Sequence, residues 1–233
     1  MRRVWFVLVA ALSAVALAAC SDEPSPATSA GDPPFTVDPE TETLPEAELP
    51  VSYAPNSATR MKLDALSASM SRIAGNDVNG KPIEWIVGGK NGFSDEMFGK
   101  ALGRPDFQST TEEQTVSSAL YLKFVGDAAR AVCTTMAKTD LGRADATERV
   151  LFPLAPPEGA LSDTQVTENL QYLALRFLGL KLPADAQLIT GLRVVFDAGS
   201  ALDIPEGAEL DARAEGWRGV CVALFEHPLF HNN

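Results

Sequence analysis

The stretch Ser162–Gly179, SDTQVTENLQYLALRFLG, predicts a helix with a defined start, a buried face and a defined end. Ser162 followed three residues later by Gln165 is a capping box, a pairing that satisfies backbone N–H groups at a helix start. The apolar residues that follow are spaced 4, 3 and 4 apart, as one face of a helix requires: Val166, Leu170, Leu173 and Phe177. Gly179 then favours an end to the helix.

Amphipathic patterns predict further helices on both sides of this stretch. Upstream, Ser57 is predicted to cap one helix and Ser94 to cap a second, brief one. A longer helix is predicted over residues 115–138. Its predicted apolar face carries Leu120, Phe124, Ala128 and Val132. Downstream, helices are predicted around Leu192 and Trp217. Short links between amphipathic helices favour a bundle.

Residues 76–92 differ from the helical segments, because four glycines and a proline surround the short apolar run Ile83–Val87. That run predicts a short strand or a buried loop. The fold class is therefore predicted to be mainly α, a helical bundle body with one irregular Gly-rich loop or short-strand region, preceded by a disordered tether. The pattern lacks the alternation of strands and helices that a nucleotide-binding α/β sheet needs.

The composition restricts the classes of function. The chain has 233 residues, with 31 acidic against 19 basic side chains and a net charge of −12. Nucleic acid is disfavoured as a partner, because its phosphates repel an acidic surface. Three cysteines and two histidines are too few for a disulfide-dense miniprotein or a multi-histidine metal centre. Since 45% of the residues are hydrophobic, the chain can bury a core.

The N-terminus has the pattern of an export signal. Two arginines follow Met1, and Val4–Ala19 is a run of 16 residues that only Ser13 interrupts. This run is shorter than the ~20 apolar residues that span a bilayer. It ends in Leu17-Ala18-Ala19-Cys20, which resembles the lipobox of bacterial lipoproteins. Residues 1–19 are therefore predicted to be a signal peptide.

The lipoprotein resemblance implies that Cys20 is the lipidation site. In that family the thiol of the cysteine is diacylated, the chain is cleaved before it, and the freed amine is usually acylated. Two or more acyl chains give stable membrane anchoring. Ser21 stands where an aspartate is the usual signal for retention in the inner membrane of enteric bacteria. We therefore expect the outer membrane, facing the periplasm, in preference to the inner membrane.

Residues 20–55 are predicted to form the lipidated cysteine and a disordered, acidic, Pro-rich tether. From Ser21 to Pro55 there are eight prolines and eight acids, with no Lys or Arg. Such a stretch cannot bury enough apolar surface to offset its ordering entropy. The alternative is a tail that folds on contact with a partner. Residues 56–233 are predicted to form a helical domain, either single or divided into lobes 56–157 and 158–233.

Parts of the body resemble uncharacterised secreted helical proteins of myxobacteria and planctomycetes. The resemblance lies in Leu102–Phe107, Asp127–Cys133 and Trp217–Leu224. It implies a helical fold and an exported location, and it carries no known active site.

Cys133 and Cys221 are candidates for a disulfide. Both lie on the apolar faces of predicted helices, and disulfides persist in exported proteins. The alternative is two buried free thiols. The chain has no C-x-x-C redox motif, so a bond between them would be structural.

Metal sites are weakly indicated. His227 and His231 are four residues apart and suit a zinc or copper site, although Pro228 between them disturbs a regular helix.

The segment 76–80 resembles the start of a calcium loop but lacks the glutamate at the twelfth position, so a tight turn on Asn79-Gly80 is preferred. No cofactor is predicted.

Catalytic motifs are missing from the sequence. It contains no G-x-S-x-G, H-E-x-x-H or S-x-x-K. Paired carboxylates suit glycoside hydrolysis, but these pairs sit at predicted helix starts, where acids favour the dipole: Asp95 with Glu96, and Glu112 with Glu113. No residue is assigned a catalytic role.

These patterns favour a membrane-anchored envelope lipoprotein that acts as a protein–protein interaction or accessory subunit module with an envelope protein partner. Four aromatic residues are candidates for interface anchors or for the core: Trp85, Trp217, Phe225 and Phe230. The alternative is an exported enzyme or a ligand- or metal-binding protein, with its site near residues 76–92 or at His227 and His231.

Overall fold

The computed structural model describes residues 59–108, 110–156 and 159–232. Within these ranges the chain forms seven α-helices, a 3₁₀ turn and one two-stranded sheet, which confirms the mainly α fold class. The elements are α1 Leu63–Ala74, β1 Ile86–Val87, β2 Lys90–Asn91, α2 Glu96–Ala101, α3 Ala119–Leu141, the 3₁₀ turn Ala146–Glu148, α4 Asp163–Leu178, α5 Gln187–Ser200, α6 Ala212–Phe225 and α7 Pro228–His231. None of the described helices has the length and apolar character needed to cross a bilayer.

The predicted capping box begins α4. The Ser162 hydroxyl accepts the backbone N–H of Gln165, and the Gln165 side chain accepts the backbone N–H of Ser162. Gly179 ends the helix in the left-handed conformation, at φ 68°. The face predicted from the spacing is buried against the rest of the body. Local sequence was therefore sufficient to define this helix.

Helices α3 and α6 lie at the centre of the core. Both contribute side chains that are almost fully buried, including Val132 and Met136 from α3 and Val220 and Leu224 from α6. Apolar residues from both halves of the body join the same core.

Helices α5 and α6 pack at a glycine contact. A Cβ on Gly199 would lie 2.7 Å from the Cα of Gly216, and a Cβ on Gly216 would lie 2.7 Å from the carbonyl oxygen of Phe196. Distances this short are not compatible with a side chain, so the two glycines allow the backbones to approach. Further along, Gly219 faces Val195, which shows that the two helices run antiparallel.

We expect Gly199→Ala to destabilise the body by about 2 kcal/mol, because the added methyl group forces two backbones apart. The matched control is Gly191→Ala on the same helix, where no described heavy atom lies within 4 Å of the added Cβ. That change should raise stability by roughly 0.5–1 kcal/mol through helix propensity alone. Urea unfolding of both variants measures the difference, and equal effects of the two alanines would contradict the close approach.

Residues 76–92 form two tight turns instead of a single loop. Asp77 accepts the backbone N–H groups of Asn79 and Lys81, which builds the expected turn on Asn79-Gly80. β1 and β2 then pair antiparallel around Gly88 and Gly89, which both have positive φ. The prediction of a short-strand region is confirmed. β1 covers only Ile86–Val87 of the apolar run that indicated it, while the side chain of the preceding Trp85 is buried in the core and its carbonyl accepts the N–H of Gly92.

Some predicted helix boundaries and faces were wrong. α1 begins at Leu63, where the carboxylate of Glu113 accepts its N–H. Asp95 rather than Ser94 caps α2, and α3 begins at Ala119 with Ser118 as its cap. Leu120 is exposed, because the buried face of α3 passes through these residues instead: Tyr121, Val125, Ala128, Val132 and Met136.

The start and the end of the described body are paired. Arg60 forms an isolated antiparallel bridge with Asn232, and the N–H of Met61 donates to the carbonyl of His231. The buried guanidinium of Arg60 donates to Glu113 and to the carbonyl of Leu102, and it lies over the ring of Tyr121. The C-terminal turn is thus fixed to residues far away in sequence.

Candidate interaction surface

Several sequence predictions fall outside the described residues. These are the signal peptide 1–19, the lipidation site Cys20, the tether over residues 20–55 and the helix cap Ser57.

Cys133 and Cys221 are joined in the structure. Their sulfur atoms lie 2.02 Å apart and their Cα atoms 5.8 Å apart, and neither residue is exposed. The bond connects α3 to α6 across 88 residues of sequence. It is buried in the core, which is the position of a structural disulfide.

His227 and His231 have separate local roles. The Nδ1 of His227 accepts the backbone N–H of Leu229 and so caps α7. His231 is buried against the ring of Tyr121, with its Nε2 3.3 Å from the carbonyl of Glu226. Among the described residues, no three His, Cys, Asp or Glu side chains are grouped so that they could hold a metal ion.

Of the two alternatives for the four aromatic residues, interface anchors or core, the structure supports the core. Trp85, Trp217, Phe225 and Phe230 are each at most 5% exposed. They pack against other aromatic rings, as in the contact of Trp217 with Phe196 at a centroid distance of 4.2 Å. These four large apolar side chains are therefore core residues.

The paired carboxylates mostly stabilise local structure. Asp95 accepts two backbone N–H groups at the start of α2, and Glu96 forms an ion pair with Lys100 at 2.9 Å. The hydrogen bond from Lys100 lowers the pKa of Glu96. Glu113 is bound to Arg60 and to the N–H of Leu63. These contacts account for three of the four carboxylates without a catalytic role.

Asp140 is a buried carboxylate that sequence reasoning missed. It lies near the end of α3 and is 1% exposed. Its oxygens accept the backbone N–H groups of Val150 and Leu151, and Arg143 lies 3.3 Å away. Burial raises the pKa of Asp140, against the opposing effect of these hydrogen bonds. The carboxylate holds the irregular segment after α3 against the body.

The exposed face of α5 has an unusual composition. The exposed residues of this helix are Gln187, Thr190, Gly191, Val194, Asp197 and Ala198. Its two charged residues, Arg193 and Asp197, pair with each other at 2.8 Å, and Arg193 also pairs with Asp163. At 100° per residue both lie on the side of the helix opposite Gly191. The helix surface centred on Gly191 therefore carries no charge among its described residues, whereas surface helices normally do.

A groove of about 410 Å³ lies beside this surface, between α5 and the end of α6. Its lining is mainly apolar: Leu188, Gly191, Leu192, Val195 and Ala223, with Gln187 and His227. Val194, on the outer flank of Gly191, is 68% exposed. We call the groove together with Val194 the α5 surface. Larger clefts beside α2 have a more polar lining, which includes members of the ion pairs Lys100 with Glu96 and Arg104 with Asp64.

One end of the α5 surface is formed by the start of α5 and the turn that follows α6. Because the Nδ1 of His227 accepts the N–H of Leu229, the neutral ring carries its proton on Nε2, which is then a donor. Because α5 and α6 are antiparallel, His227 lies at the Gln187 end of the groove. That end is also the start of α5, where Ala186 offers no side-chain cap. The first backbone N–H groups of α5 and the last carbonyl groups of α6 therefore lie at the same end, so that the two helix dipoles oppose each other there.

The chain matched no protein family model, no curated protein and no solved structure in the comparisons with known proteins.

Proposed function

We propose that the chain is a lipid-anchored lipoprotein of the bacterial envelope whose helical body binds another envelope protein as an accessory subunit. The lipobox at Leu17–Cys20 supports the anchor, and the acidic, Pro-rich stretch after it supports a spacer between membrane and body. A buried cysteine pair suits the periplasm, where disulfides persist. The outer membrane, facing the periplasm, remains the preferred location in this proposal.

The α5 surface is the observation that carries the binding role. Charged residues are depleted at the centres of protein interfaces, and an uncharged helix face beside an apolar groove has that composition. At the other candidate sites, Asp77 holds a turn, Asp95 caps a helix and Glu113 forms an ion pair. An interaction module therefore accounts for this surface better than an enzyme does.

The anchor is tested by Cys20→Ala, which removes the acylated thiol. We expect the variant to be released from the membrane or to be mislocalised, because its normal attachment depends on the acyl chains. The body should stay folded, since the described core is built from residues between Leu63 and Phe230. Fractionation with mass analysis of the N-terminus measures both location and acylation. Normal acylation and membrane retention of the variant would contradict the anchor assignment.

The binding role is tested by gentle detergent extraction of the native lipidated protein after crosslinking, followed by affinity purification. We expect one envelope protein at near-equal stoichiometry, measured by quantitative mass spectrometry. The partner should be lost when residues 56–233 are deleted and kept when the tether is replaced by a Gly/Ser linker of equal length. No enriched partner from the wild-type chain would overturn the proposed function.

A further inference from the structure

We infer that the bond between Cys133 and Cys221 is made while the core is still open, by thiol–disulfide exchange with a disulfide-bearing oxidant of the envelope. Closure of the core then protects the bond from further exchange. The inference uses export to an oxidising compartment, which is part of the proposed function, and it does not depend on the partner. It places a dithiol oxidation before the final packing of the body.

Both cysteines are closed off from solvent in the folded body. Cys133 and Cys221 are 0% exposed, and their chain neighbours Val132 and Val220 are at most 1% exposed. Neither cysteine lines any of the clefts described above. Thiol–disulfide exchange passes through a mixed disulfide, so the incoming sulfur must reach the attacked sulfur directly. The closed core therefore does not admit an oxidant to either cysteine.

The surroundings of the two sulfurs also disfavour the reactive form of a thiol. The Sγ of Cys221 lies 3.7 Å from the Sδ of Met136, an uncharged thioether. Exchange needs a thiolate, and apolar surroundings disfavour that charge. In a folded, reduced chain both cysteines would react slowly even with a small oxidant. The buried residues one turn away from the two cysteines are all uncharged: Ala129, Met136, Ala137, Trp217, Leu224 and Phe225.

The oxidation balances as two successive exchanges. One cysteine thiolate attacks a sulfur of the oxidant's disulfide, which forms a mixed disulfide and releases one thiol of the oxidant. The other cysteine thiolate then attacks the sulfur of the first cysteine, which forms the bond and releases the second thiol. The two cysteines lose two electrons and two protons, and the two sulfurs of the oxidant gain them. Acylation of Cys20 leaves Cys133 and Cys221 as the two thiols available for this step.

The order of oxidation and closure is tested on the reduced, full-length lipidated chain in detergent, with oxidised glutathione as the probe. Alkylation at intervals and mass spectrometry count the remaining thiols, while the fluorescence of the buried Trp85 and Trp217 reports closure of the core. We expect thiols in the folded fraction to react at least about tenfold more slowly than in urea, because reaction then requires opening of the core. A reduced chain that stays unfolded until it is oxidised would support the same order. Equal rates in the folded and unfolded chains would overturn the inference.

The matched control carries an exposed thiol on the folded body. Val194→Cys is purified with the bond between Cys133 and Cys221 intact, and position 194 is 68% exposed in the wild type. This thiol should form a mixed disulfide with glutathione at similar rates with and without urea, since its access does not depend on the core. A control that is slowed in the folded state as much as the buried pair would overturn burial as the cause.

Reduction of the oxidised wild-type chain by dithiothreitol tests the protection. We expect the bond to be reduced about 10³-fold or more slowly in the folded chain than in urea, because folded domains open their cores that rarely. Reduction of the folded chain at the rate seen in urea would overturn the inference. Loss of the anchor or of the partner leaves these rates unchanged, so failure of the proposed function is detected separately by fractionation and affinity purification.

Discussion

Replacing Cys133 and Cys221 together by alanine is expected to lower the free energy of unfolding by roughly 4–5 kcal/mol. The bond closes a loop of 88 residues between α3 and α6, and its loss releases that constraint from the unfolded chain. The two helices form the centre of the core, so the loss affects the whole body. Urea unfolding followed by the fluorescence of the buried Trp85 and Trp217 measures the change.

The reduced wild-type chain is the matched control for this prediction, because it keeps both sulfur atoms and loses only the crosslink. It should show most of the same destabilisation. The difference between the two samples then reports the packing of the sulfurs, including the contact of Cys221 with Met136. A loss below about 1 kcal/mol in both samples would show that the crosslink does not constrain the unfolded chain as the entropy model requires.

Asp140→Ala is expected to destabilise the body by about 3–5 kcal/mol, because it leaves buried partners of the carboxylate unpaired. The N–H groups of Val150 and Leu151 lose their acceptor, and Arg143 loses its nearest carboxylate. Hydrogen exchange should show faster opening of residues 142–152 in the variant. Asp145→Ala, which removes an exposed cap from the same segment, is the control and should have a much smaller effect.

Asp140→Asn keeps the size and shape of the side chain but removes its ionisable carboxyl group, so it tests the effect of the charge alone. Burial raises the pKa of Asp140, so the folded chain binds this proton at a higher pH than the unfolded chain does. The stability that protonation contributes is complete below the ordinary value of 3.8 and is lost as the pH rises through the raised value. We therefore expect the advantage of wild type over Asp140→Asn to grow as the pH falls through this window. An advantage that shrinks on acidification would contradict the direction of the shift.

Local sequence was a good guide where a helix carries its own start and stop signals. The Ser162–Gln165 box and Gly179 bound α4 without help from the rest of the chain. α1 shows the opposite case, because the carboxylate at its start comes from Glu113, fifty residues later. Leu120 was misplaced for a related reason. An apolar stripe on a long helix does not by itself indicate which side faces the core, because several neighbouring elements can pack against that helix.

The α5 surface could be predicted only in part. The sequence shows an amphipathic helix around Leu192 and a histidine pair near the C-terminus, and both are present. It does not show that the antiparallel packing of α6 on α5 brings His227 to the start of α5. The sequence does not distinguish the three glycines of α5 and α6 named here. In the structure Gly191 faces open space, whereas Gly199 and Gly216 lie at the contact between the two backbones.

The sequence by itself determined the helical class, the boundaries of α4, the turn on Asn79-Gly80 and the resemblance to a lipobox. These features depend on residues close together in the chain, whose backbone preferences act before any tertiary contact forms. Only the tertiary structure decided the burial of the aromatic residues, the role of Asp140, the joining of α3 to α6 and the composition of the α5 surface. Each of these depends on which distant side chains fill the same space, and close packing of the core selects that arrangement for the chain as a whole.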